Sequence, residues 1–287
     1  MAFAKRNPKI PEGINASDDN PLKDFLLLLA GVSGFVVICV TLLVLFSQSL
    51  APYIPFHYEQ KIAQFYEQQF VETGKQEGQA PSLKFQEAEA ALQELGSILA
   101  AKADLPEQID LQFHLVNDAD VANAFATLGG HIFVTTGLLQ TVSSENALAM
   151  VVAHEIAHVK LRHPIQALSR GVIVQLFMSL VIGGQDASAV QSVLGQTGLL
   201  TLLSFNRSME HQADSEALDA LFKQYGHLKH AEQFFKKMSE LGHKTGWKEV
   251  FYTHPDVESR IKHIQNEMHR HQRTSQQVVP LDPRLIR

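Results

Sequence analysis

The stretch Val151–Val159 reads Val-Val-Ala-His-Glu-Ile-Ala-His-Val, so two histidines four residues apart enclose a glutamate. On an α-helix, positions four apart lie about 40° apart around the axis and one turn along it. His154 and His158 can then grip one metal ion from the same helix face, with Glu155 projecting beside them. Neutral imidazole ligands, an open coordination position and a carboxylate base are what zinc-assisted hydrolysis requires. His163 follows His154 by nine residues, about 180° around the helix, and is read as a surface or capping residue pointing away from the site.

A two-histidine site needs a third protein ligand, most often a carboxylate or another histidine. Glu210 and Asp214 are four apart in a stretch of helical pattern, so they share a face. Glu210 can ligate the metal, and Asp214 can accept a hydrogen bond from a ligand imidazole and fix its ring and tautomer. Such a pair by itself suits a solvated helix surface equally well. The His-Glu-x-x-His stretch is what favours ligation.

Several elements must position these groups. The metal helix is expected to start at Ser143 or Ser144, either of which can cap it, with Glu145 in the first turn, and to run to about Arg162, before Pro164. Three short strands are expected ahead of it: residues 111–116, residues 122–126, and residues 131–136 after a Gly129-Gly130 turn. Helical patterns at 57–72 and 83–102 form a connector spanning 57–102, with a loop at 74–81. Further helices are expected at 204–224, 228–241 and 256–271, then a flexible tail over 273–287. The apolar region 171–205 is broken by Gly183-Gly184-Gln185-Asp186, and each half is too short to span a bilayer simply. It reads as two buried helices or as a membrane-facing pair.

The N-terminal residues 1–24 are polar and carry Lys5, Arg6, Lys9 and Lys23; they read as a disordered cytoplasmic head. Residues 25–46, Phe25 to Phe46, are uncharged and as a helix span about 33 Å, enough for a bilayer core. A signal peptide has an apolar region of about 7–15 residues, so this longer run reads as an uncleaved anchor. A cleaved signal and a buried core helix are the alternatives. Four cations precede the run, and only Lys61 follows it closely, which puts the N-terminus in the cytoplasm and the bulk of the chain across the membrane. The net charge of -6 gives no sign of a nucleic-acid partner, and the single cysteine, Cys39, excludes a thiolate zinc site in the remainder of the chain.

The His-Glu-Ile-Ala-His stretch followed about fifty residues later by Glu210-x-x-x-Asp214 resembles the membrane-linked zinc metallopeptidases that include HtpX, the CAAX prenyl endopeptidases, the mitochondrial OMA proteases and the bacterial β-barrel assembly-enhancing protease. The resemblance covers roughly residues 105–270. Asn123-Ala124-Phe125-Ala126 and Gly130-His131-Ile132-Phe133-Val134 look like that family's strands, and His254-Pro255 with Glu258-Ser259-Arg260 looks like its C-terminal motif. The resemblance implies a mostly helical α+β, gluzincin-type domain over 103–272 with a small three-stranded sheet. It implies one zinc ion held by His154, His158 and Glu210, with Glu155 as general base and Asp214 supporting a ligand. His254 would assist as an oxyanion donor or bind the metal as an inhibitory ligand, although a His-Pro pair also suits an ordinary helix entry. An extended substrate would pair along Asn123 and the strand His131, Ile132, Phe133, Val134. The chain lacks the several spans of HtpX and the tandem repeats of the assembly-enhancing protease, so it looks most like the compact OMA-type branch. The implied activity is hydrolysis of misfolded or unassembled membrane and envelope proteins on the periplasmic side of the inner membrane. The other reading is a largely latent protease that acts as a membrane-anchored chaperone or assembly factor.

Overall fold

The computed structural model of the chain describes residues 20–64, 82–182, 205–241, 254–271 and 277–286. It divides into two units, Met1–Leu43 and Val44–Arg287. Helix α1 (Pro21–Leu50) has no buried residue and no charge beyond Asp24. It begins earlier than Phe25 because Asn20 caps it, its Oδ1 accepting from Lys23 N at 3.2 Å, and Pro21 fits a first turn. Its length and composition are those of a membrane-crossing helix. Of the expected head, residues 1–19 lie outside the described residues.

A 3-10 turn (Ala51–Tyr53) and a helical segment over 56–64 follow α1. The expected loop at 74–81 lies outside the described residues. Helix α2 (Leu83–Ala100) opens on Ser82, whose Oγ accepts from Phe85 N at 3.3 Å. Strands β1 (Gln112–Val116), β2 (Ala124–Ala126) and β3 (His131–Thr135) form one sheet in the order β1-β3-β2. β1 runs parallel to β3 and β2 antiparallel to it. The tight β2–β3 connection uses left-handed backbone at Gly129 (φ 76°) and Gly130 (φ 88°), where a side chain would strain. α2 packs on β1 across Gly96, where an added Cβ would sit 2.5 Å from the Phe113 ring.

The chain does not pass directly from β3 to the metal helix. A short helix α3 (Thr136–Thr141) intervenes, because Thr135 Oγ1 accepts from Leu138 N at 3.2 Å and starts a turn. Helix α4 (Glu145–Lys160) carries the His-Glu-x-x-His stretch and is capped by Ser144, whose Oγ accepts from Ala147 N at 3.3 Å. Every residue of α4 from Asn146 to Val159 is buried, which suits its near-continuous apolar and small side chains. Helix α5 (His163–Ile182) follows, and the rest of the apolar region, 183–204, lies outside the described residues.

Helix α6 (Arg207–Tyr225) packs along α4, capped by Asn206 and ended by Gly226 in the left-handed region at φ 70°. Helix α7 is confined to Gln233–Leu241, shorter than its sequence pattern, because His230 takes a left-handed φ of 69° within the turn before it. Helix α8 spans Val257–Arg270 and packs on α6 and α7. The tail expected to be flexible over 273–287 is docked where it is described. Val279 N donates to Asn146 Oδ1 at 2.8 Å, Glu145 N donates to Val279 O at 3.0 Å, and Leu285 is 1% exposed. Leu281 and Leu285 join the same core as Leu148 and Met150, and burial of those two leucines outweighs the polarity of their neighbours.

Candidate metal centre

The capped start of α4 fixes the rotation of the helix, and that rotation sends His154 and His158 to one point. Their Nε2 atoms lie 2.9 Å apart and both rings are fully buried. α6 brings Glu210 from the opposite side: Oε2 is 3.4 Å from His154 Nε2, and Oε1 is 3.6 Å from His158 Nε2. One turn on, Asp214 Oδ1 is 3.0 Å from His154 Nδ1, the ring nitrogen facing away from that point. The segment before α8 adds His254, with Nδ1 3.2 Å from Glu210 Oε1 and Nε2 3.6 Å from Glu155 Oε1. One donor atom from each of His154, His158, Glu210 and His254 falls within 4.8 Å of the others. Glu155 stands beside this cluster, its Oε2 accepting from Ala126 N of β2 at 2.8 Å.

No local sequence pattern assigns Arg260 a role. It is 1% exposed and forms the centre of the charge network. Its Nε and Nη2 donate to Asp214 Oδ2 and Oδ1 at 2.9 and 2.7 Å, and Nη1 lies 2.7 Å from Glu210 Oε2. Its guanidinium also covers the Phe235 ring at 4.5 Å. The available signal was a basic residue on α8 near a predicted pair of buried carboxylates, since such carboxylates need a countercharge.

These contacts set the electrostatics. Burial works to raise the Glu210 carboxyl, but Arg260, His254 and His154 outweigh it and hold the group well below the usual carboxylate range. Asp214 is held low in the same way, burial being overcome by Arg260. Burial pushes Glu155 up, and its neighbours His254 and His154 offset only part of that, which suits a base rather than a permanently charged ligand. Burial and Arg260 act to lower His154, yet its bonds to Asp214 and Glu210 prevail and carry it up to about 9. His158, buried beside His154, is pushed well below its ordinary value.

Two expectations fail. His163 does not point away. It is 1% exposed, and its Nδ1 lies 2.8 Å from His158 Nδ1. The helix breaks after Lys160, with Arg162 at φ 60°, so the angular count from His154 does not carry through to His163. The strand His131, Ile132, Phe133, Val134 is not open to an added peptide. It is β3, the middle strand, paired on both edges and buried throughout. The edge beside the metal cluster is β2, whose Ala126 N already points at Glu155. Asn123, just before β2, lines the same cleft with Ala124, Phe235 and His254, and its buried Oδ1 has no hydrogen-bond partner.

Two buried imidazole nitrogens 2.9 Å apart, a carboxylate held ionised and a buried His254 Nε2 that makes no hydrogen bond fit a borderline-soft divalent cation. The ligand types and the small sheet ahead of a His-Glu-x-x-His helix define a gluzincin-type zinc metallopeptidase domain. Residues 86–268 match peptidase family M48, and the chain belongs to that family. It is 28% identical to the β-barrel assembly-enhancing protease of Yersinia pestis over 188 residues, which is 60% of this chain and 37% of that protein. It is 31% identical to the mitochondrial metalloendopeptidase OMA1 of Schizosaccharomyces pombe over 156 residues, 54% of this chain and 45% of that one. The Saccharomyces cerevisiae OMA1 is 30% identical over 167 residues, 56% and 48% of the two chains. The matched part is thus less than half the length of each of these relatives.

Proposed function

We propose that this protein is a membrane-anchored zinc endopeptidase, with His154, His158 and Glu210 as ligands and Glu155 as general base. The observation that carries the reading is the convergence of those three donors on one buried point with Glu155 beside it. Zinc, when bound, supplies Lewis-acid polarisation of the scissile carbonyl and acidifies a water. Glu155 takes the proton of the attacking water and returns it to the leaving amine. Asp214 orients His154 through its Nδ1, and Arg260 keeps Asp214 and Glu210 ionised. His254, whose Nε2 makes no hydrogen bond, serves as an oxyanion donor. An extended substrate lies along the outer edge of β2 and is held near its reacting bond by Asn123.

Residues 25–46 cross the membrane, with the N-terminus in the cytoplasm and the catalytic domain on the periplasmic side of the inner membrane, as the Lys/Arg asymmetry supports. Misfolded or unassembled envelope proteins are the substrates this placement favours. The second reading, a largely latent protease that works as an assembly factor, has one observation of its own. The cleft beside Glu155 holds only about 10 Å³ of free space, room for about one water. His254 as a fourth ligand would keep it closed.

The test is Glu155→Gln. Loss of digestion of an unfolded substrate by about 10²–10⁴, with zinc retained, is expected. Digestion at the parent rate would refute the peptidase reading. Full complementation of a deletion strain by the same variant would favour the assembly-factor reading.

A further inference from the structure

The two ligand histidines have unlike partners behind them. His154 Nδ1 faces the Asp214 carboxylate at 3.0 Å, the usual arrangement for a ligand imidazole. His158 Nδ1 faces another imidazole, His163 Nδ1, at 2.8 Å. Two ring nitrogens that close share one proton, so one ring donates and the other accepts. The direction follows from the ligand role of His158, which needs a lone pair on Nε2. His163 then accepts, with a lone pair on its own Nδ1. His158 must then carry its own proton on Nδ1, and its Nε2 lone pair faces His154 and Glu210. The Phe205 ring lies flat on His158, with centroids 3.9 Å apart and an 18° interplanar angle, and limits rotation of the ring.

We infer that His163 is a positioning residue that holds His158 in the Nδ1–H tautomer with Nε2 presented to the metal. This rests on His158 being a zinc ligand. His163 touches neither metal nor substrate; it acts through His158, as a carboxylate does for His154.

The experiment is zinc affinity of the full-length, detergent-solubilised chain, measured by competition with a chromophoric chelator. His163→Asn keeps an acceptor near the Nδ1 position, while His163→Phe removes it at similar ring size. The expected result is a dissociation constant raised about 10–100-fold by His163→Phe and within about threefold of the parent for His163→Asn. Equal affinity in the two variants overturns the inference, whether both lose or neither does. If His163→Phe does not fold, the parent decides. With ¹⁵N-labelled histidine and zinc bound, His158 must show a proton coupled to Nδ1, and a proton on its Nε2 overturns the assignment. A parent chain that binds no zinc sinks the ligand set itself, whereas a parent that binds tightly with no difference between the variants sinks only the role of His163.

Discussion

Arg162 reaches from the end of the metal helix to Glu59, its Nη2 2.6 Å and its Nε 2.7 Å from Glu59 Oε1. The same guanidinium donates to Ile54 O at 2.7 Å and Pro52 O at 3.3 Å and lies over the Phe56 ring. Glu59 also accepts from Gly129 N at 3.5 Å. The segment that follows α1 is thereby pinned to the turn after α4 and to the β2–β3 connection. Removing one member of such a buried pair strands the other. Arg162→Ala is expected to lower stability by about 3–5 kcal/mol in denaturant titrations. The Arg162→Leu, Glu59→Leu double variant is expected to lose less than the two single variants summed.

The same pair gives a pH signature. Burial raises the Glu59 carboxyl above its ordinary value, more than Arg162 and Gly129 lower it. The folded state therefore holds that proton more tightly than the unfolded chain. The resulting contribution to stability is complete below the unfolded pKa and is lost as pH rises through the folded one. Denaturant midpoints measured from about pH 4 to 7 should fall less steeply in Glu59→Gln than in the parent.

Arg260 balances two buried carboxylates, so its loss should be felt most without metal. Arg260→Ala is expected to destabilise the zinc-free protein by about 3–5 kcal/mol. Zinc should then raise the melting temperature of the variant more than that of the parent, since the cation supplies the missing positive charge. An equal zinc-induced rise in both would show that Arg260 does not share the charge of the site.

The docked tail separates burial from surface charge. Leu285, 1% exposed and part of the main core, is expected to cost about 2–5 kcal/mol when cut to Ala. Arg284, which pairs with Glu94 and Asp282 at the surface, is expected to change the melting temperature little when cut to Ala.

The metal helix was legible because its spacing, serine cap and apolar run all point to one structure, and Glu210 and Asp214 because they repeat the four-residue spacing on a second helix. The three strands were legible from alternation, but their order was not. Nothing in the pattern of residues 131–135 distinguishes a middle strand from an edge, since strand order is a long-range property. Arg260 and His163 were hidden for a related reason. Each becomes part of the site through a packing contact or a helix break that local periodicity does not encode. The leucines of the tail were outvoted by their polar neighbours, although two buried side chains are enough to dock a short segment.

The metal helix is made well before the groups that close around it. Asn146 receives its bond from Val279, 133 residues later, and His154 meets Arg260 106 residues later. At a synthesis rate of about 5–20 residues per second, adding those 133 residues takes about 7–27 s. The charges that order the two histidines and Glu155 are complete only when Arg260 is added, 106 residues after His154. The complete charge network around the metal helix therefore forms late in translation, set by residues far downstream of it.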